Sequence, residues 1–379
     1  MKSACYLAWK YTKAHKGRTL ILIAALGLLL FLPTAVTLVI RSYDARMGAR
    51  ADATPMIIGA KGNRYDLLLQ ALFFRDGRTD DVPFGLIERL ESDLAFAAKA
   101  VPLYARYTTQ DAPIVGTDLS AYFDFRGLTI GQGKLPEMMG QAVLGQGAAR
   151  RLGVTVGDTL TSDRVNLYDL SRTMPLQLNI VGVLGATNSA DNEAVFIDVK
   201  TAWIIAGHGH GHDPEAHQSQ AAHSATVTAI EITPENAASF HFHGDEAELP
   251  LSAVLVLPET DKDRTLITSR YNASANYQAL RPAQVMDELM GLVLRIKKLF
   301  DANTALVGIA VVLLIGLVVA LSMKLREAER KTLHKLGCGK WLIVQVQVVE
   351  LAIVLAGALV IVAAGSAAVM VVSPMLLGV

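Results

Sequence analysis

The sequence predicts an α-helical transmembrane protein with a large α+β extracytoplasmic domain inserted between its first and second membrane spans. Three observations lead there. Hydrophobic residues make up 52% of the 379 and charged residues only 18%, where a soluble domain carries about a quarter charged. Uncharged runs long enough to cross a bilayer stand near both ends of the chain. Between them lies a long segment in which short β-branched runs alternate with helical spacing.

The first run, Thr19 to Ile40, is 22 residues without a charge, enough for the ~30 Å of a hydrocarbon core at ~1.5 Å per residue. Pro33 is tolerable there, because neighbours in a helix bundle can satisfy the carbonyl it frees. A cleaved signal would have a shorter apolar core and a small-residue cleavage site; here Arg41 follows directly, so an uncleaved anchor is expected. Ala302 to Met323 is a second uncharged run of 22 residues, and Trp341 to Val372 a third apolar stretch, interrupted by Gln345, Gln347 and Glu350.

Basic residues in short flanks set orientation. Lys2, Lys10, Lys13, Lys16 and Arg18 precede the first run with no acid among them. Lys324, Arg326, Arg330, Lys331, Lys335 and Lys340 outnumber Glu327 and Glu329 in the loop after the second. Both flanks are expected in the cytosol. The organisation that follows is a cytoplasmic segment 1–18, a first span 19–40, an outside domain 41–295, a second span 301–323, a cytoplasmic loop 324–340, a third span 341–372 and a short end at 373–379. Cys5 and Cys338 both fall in cytosolic segments, so no disulfide is expected.

In the outside domain, Pro55–Ile58, Leu176–Leu184, Ala194–Val199, Thr226–Ile232 and Ala253–Leu257 read as strands. Pro83–Ala100 has helical spacing at Leu86, Ile87, Leu90, Leu94 and Ala97, and Gln141–Leu152 reads as a helix stopped by Gly153. An apolar stripe from Val285 to Phe300 leads into the second span. With no breaker before Ala302 it predicts a stalk helix, about 282–300, running into the membrane, with a bend at Asp301–Asn303 as the alternative.

The chemistry is sparse. Lys+Arg and Asp+Glu balance at 35 each, which gives no support to nucleic-acid binding. No catalytic triad or paired-carboxylate site is recognisable, and no cofactor motif. There is no GxxxxGK[ST]; the runs at Gly131–Leu135 and Gly337–Trp341 lack its spacing and its hydroxyl. Histidine is the sharpest local signal. Of nine, seven fall at His208, His210, His212, His217, His223, His241 and His243. Neutral imidazole binds Zn²⁺, Cu²⁺ and Ni²⁺, and a tract of this composition suits an open capture loop for Zn²⁺ or a similar ion. Asp213, Glu215 and Asp245 could add oxygen ligands. A polar loop without a ligand and a pH-responsive loop are the alternatives. Glu350 in the third apolar run is either a functional intramembrane carboxylate or a group near the cytoplasmic interface that pairs with a neighbouring helix.

Three stretches carry a resemblance to a known family. AVLGQGAARRLGVTVGDTL, Ala142 to Leu160, is similar to its pattern of a short strand, a helix ending in Arg-Leu-Gly, and a Gly-Asp-Thr-Leu turn. IVGVLGATNSADNEAVFIDVKTAW, Ile180 to Trp203, is similar to the strand–loop–strand that follows. REAERKTLHKLGCGKWLI, Arg326 to Ile343, resembles its cytoplasmic coupling helix. With the order of spans, these resemble the MacB/FtsX-type permeases, membrane subunits of mechanotransmitting (type VII) ABC transporters. Ile58–Asn63 with Leu67–Leu69, and the histidine loop, resemble a subgroup found beside metal-handling genes. The family has a fourth span after an outside loop, where this sequence has only the short end Ser373 to Val379; a truncated end is expected there.

The resemblance implies a homodimer in the bacterial inner membrane, bound to two copies of a cytosolic ABC ATPase, with ATP handled only by that partner. It also implies a periplasmic partner, a metal-binding or adaptor protein. The amphipathic loop helix is expected to supply the ATPase docking surface through Glu329, Leu333, Leu336 and Gly337, flanked by Arg326 and Arg330; a loop that only holds positive charge in the cytosol is the alternative. Activation of a periplasmic partner in the manner of FtsX, and lipoprotein or lipid extraction, share the same topology.

Overall fold

The computed structural model describes residues 2–75, 79–163, 175–211, 229–242, 244–325 and 340–376. Two compact units are present, one of residues 46–289 and one of residues 1–45 with 290–378. The sequence placed the outside domain at 41–295.

The first unit is built on strands. Helix α1 (Lys2–Ala14) and helix α2 (Lys16–Asp52) precede β1 (Met56–Ala60), α3 (Arg64–Phe73), β2 (Val82–Pro83) and α4 (Leu86–Glu91). Then come β3 (Ala98–Thr109), β4 (Ala112–Thr117), α5 (Leu119–Arg126), β5 (Ile130–Gly133), β6 (Gln141–Leu144), α6 (Gln146–Leu152) and β7 (Thr159–Thr161). β8 (Leu176–Leu184), β9 (Val195–Asp198), α7 (Val199–Ile205), β10 (Gly209–Gly211), β11 (Ile230–Glu231) and β12 (Phe240–Phe242) follow. The unit closes with β13 (Pro250–Leu251), β14 (Ala253–Pro258), α8 (Asp261–Ala273), β15 (Tyr277–Leu280) and the start of α9 (Pro282–Leu325).

One mixed sheet runs in the order β11-β8-β6-β9-β4-β3-β14-β1-β15, and β5 and β7 also pair with β8. β8 is parallel to β6 and β11 and antiparallel to β5 and β7. Its alternation of buried Leu176, Leu178 and Ile180 with half-buried Gln177, Asn179 and Val181 is the period of two that a strand writes into its sequence. β1 and β14 are buried from Met56 and Ala253 through Ala60 and Val256, as strands covered on both faces are. The core gathers Met56, Ile58, Leu103, Leu144, Leu178, Val195, Trp203 and Val254, all at or near zero exposure.

Two sequence expectations change here, and one hairpin is new. The helix read over Pro83–Ala100 is only Leu86–Glu91. It stops at Ser92, the Asp93 side chain accepts the Ala95 N–H, and Asp93 pairs with Arg270. Leu94, counted in the apolar stripe, is fully exposed. Gln141–Leu152 is not one helix but β6 followed by α6, the strand–helix order of the family pattern. Gly153 does cap α6, with φ of 69°. The β3–β4 hairpin was not read from the sequence. Its two loop residues, Gln110 and Asp111, hold φ of 47° and 65°, the signs a type I′ turn requires.

The second unit is helical. α2 runs unbroken through Pro33, and the next hydroxyl, on Thr34, donates to Leu30 O at 2.8 Å. α9 continues through Asp301–Asn303 without a break, and α10 covers Lys340–Leu376. Helices Thr19–Asp52 and Val344–Met370 are long and apolar enough to cross a membrane, by length and composition; within α9 the apolar stretch among the described residues is Thr304–Leu314. Small residues let α2 and α10 meet. A Cβ on Gly357 would lie 2.8 Å from Ile23, and one on Gly365 2.5 Å from Phe31. Leu26, Val354 and Ala358 are buried in that contact.

The packing predicts a contrast that urea unfolding of the full chain in detergent will check. Leu178→Ala, at the buried centre of the sheet, should cost about 2–5 kcal/mol. Leu94→Ala should fall within about 0.5 kcal/mol of the parent.

Candidate functional site

Of the seven histidines read as metal ligands, His208, His210 and His241 are described; His212, His217, His223 and His243 lie outside the described residues. His210 and His241 come together. β10 and β12 pair antiparallel, with Gly209 opposite Phe242, His210 opposite His241 and Gly211 opposite Phe240. The imidazole centroids are 4.8 Å apart with their planes at 64°. His210 is exposed and His241 half-buried.

The alternation in Gly-His-Gly and Phe-His-Phe has a packing cause. Successive side chains in a strand point to opposite faces, so both histidines share one face and the phenylalanines the other. A Cβ on Gly209 would lie 2.8 Å from Phe242 Cδ1, and one on Gly211 2.7 Å from Phe240 Cε2. The rings therefore lie across the glycines of the opposite strand. Phe242 meets Trp203 edge to face at 5.8 Å, and the fully buried Trp203 donates from Nε1 to Pro250 O at 2.8 Å. The ribbon is seated on the core by its aromatic face and presents imidazoles from the other.

His208 is placed differently. Its N–H donates to Trp203 O at 2.9 Å where α7 ends, and its ring acts electrostatically on Asp81. Burial pushes the Asp81 carboxyl up, against the pull of Arg106, whose Nε donates to Oδ1 at 2.7 Å, and of His208. Among the described residues no group of three or more His, Cys, Asp or Glu is arranged to hold a metal.

A second constellation went unread in the sequence. Arg50 grips Asp191 with both guanidinium nitrogens, Nη1 to Oδ2 at 2.5 Å and Nη2 to Oδ1 at 2.9 Å. Tyr122 donates to Asp191 Oδ1 at 2.7 Å, Ser189 donates to Oδ2 at 2.9 Å, and Arg50 Nε donates to Leu72 O. Phe74, one of the few non-glycine residues with positive φ (54°), sets its ring beneath the Arg50 guanidinium at 5.3 Å. The Arg50 and Asp191 side chains are only 5% and 2% exposed. Burial alone would raise the Asp191 carboxyl, but the charge and hydrogen bonds of Arg50, with those of Tyr122, hold it down to about 2. Burial drives the Tyr122 phenol up to about 12, and Asp191 beside it adds to the rise.

Arg126 stands at the edge of this group. Its Nη1 donates to Thr54 Oγ1 at 2.9 Å, while Nε and Nη2 are buried without a hydrogen-bond partner among the described residues. Its guanidinium lies over Phe125 at 4.6 Å and Tyr122 at 5.7 Å. Asp191 sits inside the family-like stretch Ile180–Trp203, which was its only trace in the sequence.

Arg326, Glu329, Arg330, Leu333, Leu336 and Gly337 lie outside the described residues. Glu350 is half-buried on α10.

The chain joins a mixed α+β domain to two helices long and apolar enough, by length and composition, to cross a membrane. Residues 33–240 match the family model described as the MacB-like periplasmic core domain. That is more than half of the chain, and the chain belongs to this family, that of the MacB/FtsX-type ABC transporter permeases. It is an inner-membrane protein with a periplasmic region. The crystal structure of the periplasmic region of MacB from Actinobacillus actinomycetemcomitans is similar at 10% identity, covering 63% of this chain and 95% of that one, with a TM-score of 0.36. The search of curated proteins found no match.

The buried pair makes two predictions. Asp191→Ala leaves Arg50 buried without its counter-charge and should cost about 3–5 kcal/mol in chemical unfolding. Because the folded Asp191 carboxyl lies below its unfolded value of about 3.9, its contribution is complete above that value and is lost as pH falls through about 2. Stability measured between pH 5 and the acid limit of folding should fall less steeply in Asp191→Asn than in the parent.

Proposed function

We propose that this chain is the membrane subunit through which a separate cytosolic ABC ATPase moves a periplasmic domain. Membership of the permease family carries the reading. The sequence carries no phosphate-binding GxxxxGK[ST], and the reading gives ATP to a separate subunit. Two copies of the chain pair with two ATPases. Closure of the ATPases on ATP pushes the loop 324–340 at Glu329, Leu333, Leu336 and Gly337, with Arg326 and Arg330 at its flanks.

Two structural observations support transmission beyond the loop. α9 is one uninterrupted helix over Pro282–Leu325. Its Glu288 pairs with Arg64 of α3 at 2.6 Å; both groups are about half exposed, so this contact guides more than it stabilises. The end of α2 is held more firmly, by Arg50 on Asp191.

The histidine tract gives the periplasmic side a chemical interest. We read it as a capture site for Zn²⁺ or a similar divalent ion, through imidazole ligands. The metal serves as cargo or as a signal passed to a periplasmic partner.

The test is reconstitution of the full chain in lipid nanodiscs with the ABC ATPase expressed beside it. The chain alone should hydrolyse no ATP, and the ATPase should be retained on the nanodiscs. Leu333→Asp with Leu336→Asp should weaken retention by at least about tenfold, since burying each leucine is worth about 1.5–3 kcal/mol and tenfold is about 1.4. Hydrolysis by the chain alone, or undiminished retention in the variant, would overturn the reading.

A further inference from the structure

The pairing of β10 with β12 does more than bring two histidines near each other. Two imidazoles bound to one tetrahedral ion, at Zn–N of about 2.0–2.1 Å, have ring centroids about 5 Å apart. His210 and His241 stand at 4.8 Å without any rearrangement of the backbone. The register is not free to slip, because the phenylalanine rings of β12 occupy the space above Gly209 and Gly211. A shift of one residue would turn the imidazoles to the core and the rings to the outside.

The tautomer of one ring is also set. His241 Nδ1 lies 3.3 Å from Ser239 O. A carbonyl oxygen only accepts, so in this contact Nδ1 carries the hydrogen and donates. A ring nitrogen held by a backbone carbonyl, with the other nitrogen as ligand, is the usual arrangement around metal-binding histidine. His210 is exposed on the face that carries both imidazoles.

We propose that His210 and His241 form a two-imidazole site for a borderline divalent transition ion, with water completing the coordination. Zn²⁺, Cu²⁺ and Ni²⁺ suit such ligands; Ca²⁺ and Mg²⁺, which demand oxygen, do not. The site deepens, and rests on, the metal-capture reading of the histidine tract. It narrows that reading from a composition to two named side chains on a fixed ribbon. An ion shared by β10 and β12 also clamps these strands, so loading is coupled to the order of the ribbon and of the core residues Phe242 and Trp203 beneath it.

The experiment uses the full chain in nanodiscs, titrated with Zn²⁺ against a chromogenic chelator. Three variants are compared with the parent: His210→Ala, His241→Ala, and a triple variant His212→Ala, His217→Ala, His223→Ala. Loss of one of two ligands should weaken Zn²⁺ binding at least as much as the ~10–100-fold typical of losing an outer partner. The expected result is that weakening in each single variant, with the parent's tightest site kept in the triple variant. In Cu²⁺-loaded parent protein, electron paramagnetic resonance should show two nitrogen ligands, falling to one in each single variant. Parent-like binding in both single variants with loss in the triple variant would keep the metal-capture reading and overturn the ribbon site. No Zn²⁺ binding by the parent would overturn both.

Discussion

Arg50 and Asp191 stand 141 residues apart and are both sealed from solvent, so each is tolerated inside the domain only because the other is there. Charges taken out of water are costly unless paired and fully hydrogen-bonded, and this pair meets both conditions through Tyr122, Ser189 and the Leu72 carbonyl. The requirement propagates. It fixes the last turns of α2, places α5 so that Tyr122 can reach in, and holds the short 3₁₀ turn Ala190–Glu193 before β9. That turn is packed so closely that a Cβ on Gly145 would lie 2.2 Å from Asp191 O. The entry to α6, the start of β9 and the end of α2 are thus parts of one arrangement. Arg126 completes its electrostatics: burial and the like charge of Arg50 make its guanidinium easier to deprotonate than usual, and Tyr122 and Phe125 stack on the group whose Nε and Nη2 meet no hydrogen-bond partner among the described residues.

Much of the sheet was legible in the sequence, for a physical reason. β1, β8 and β14 are runs of β-branched and aliphatic residues with turn formers at their ends, and their observed bounds lie within a few residues of the expected ones. β3 was hidden. It carries Pro102 in a strand paired on both edges, where proline argues against a central position. It is also preceded by apolar residues at helical spacing of which only the first part is helical. The β3–β4 turn uses Gln110-Asp111 in place of the Asn-Gly that marks such turns.

The sites were legible to a different degree. Histidine enrichment flagged the ribbon, but only the strand register shows that, among the described histidines, His210 and His241 meet. The Arg50–Asp191 pair left no periodic signal, because its partners are joined by topology alone. The helical unit was visible from hydropathy. What sequence could not give was how α2 and α10 pack, which depends on Gly27, Gly357 and Gly365 standing opposite Ile361, Ile23 and Phe31. The exposed leucines, isoleucines and valines left on these helices, among them Leu20, Ile21, Leu28, Val312 and Val360, are the surface such a unit offers to lipid.

The fit of Phe240 and Phe242 against Gly211 and Gly209 has a consequence for how this sequence can drift. None of the four positions is free alone. A side chain gained at either glycine leaves no room for the ring opposite, and a ring lost leaves a hollow over the glycine. Tolerated changes must come as compensating pairs, a larger residue on one strand with a smaller one on the other. The histidines between them carry no such steric debt, so across descendants of this chain the Gly–Phe frame should co-vary while the intervening positions change by what they bind.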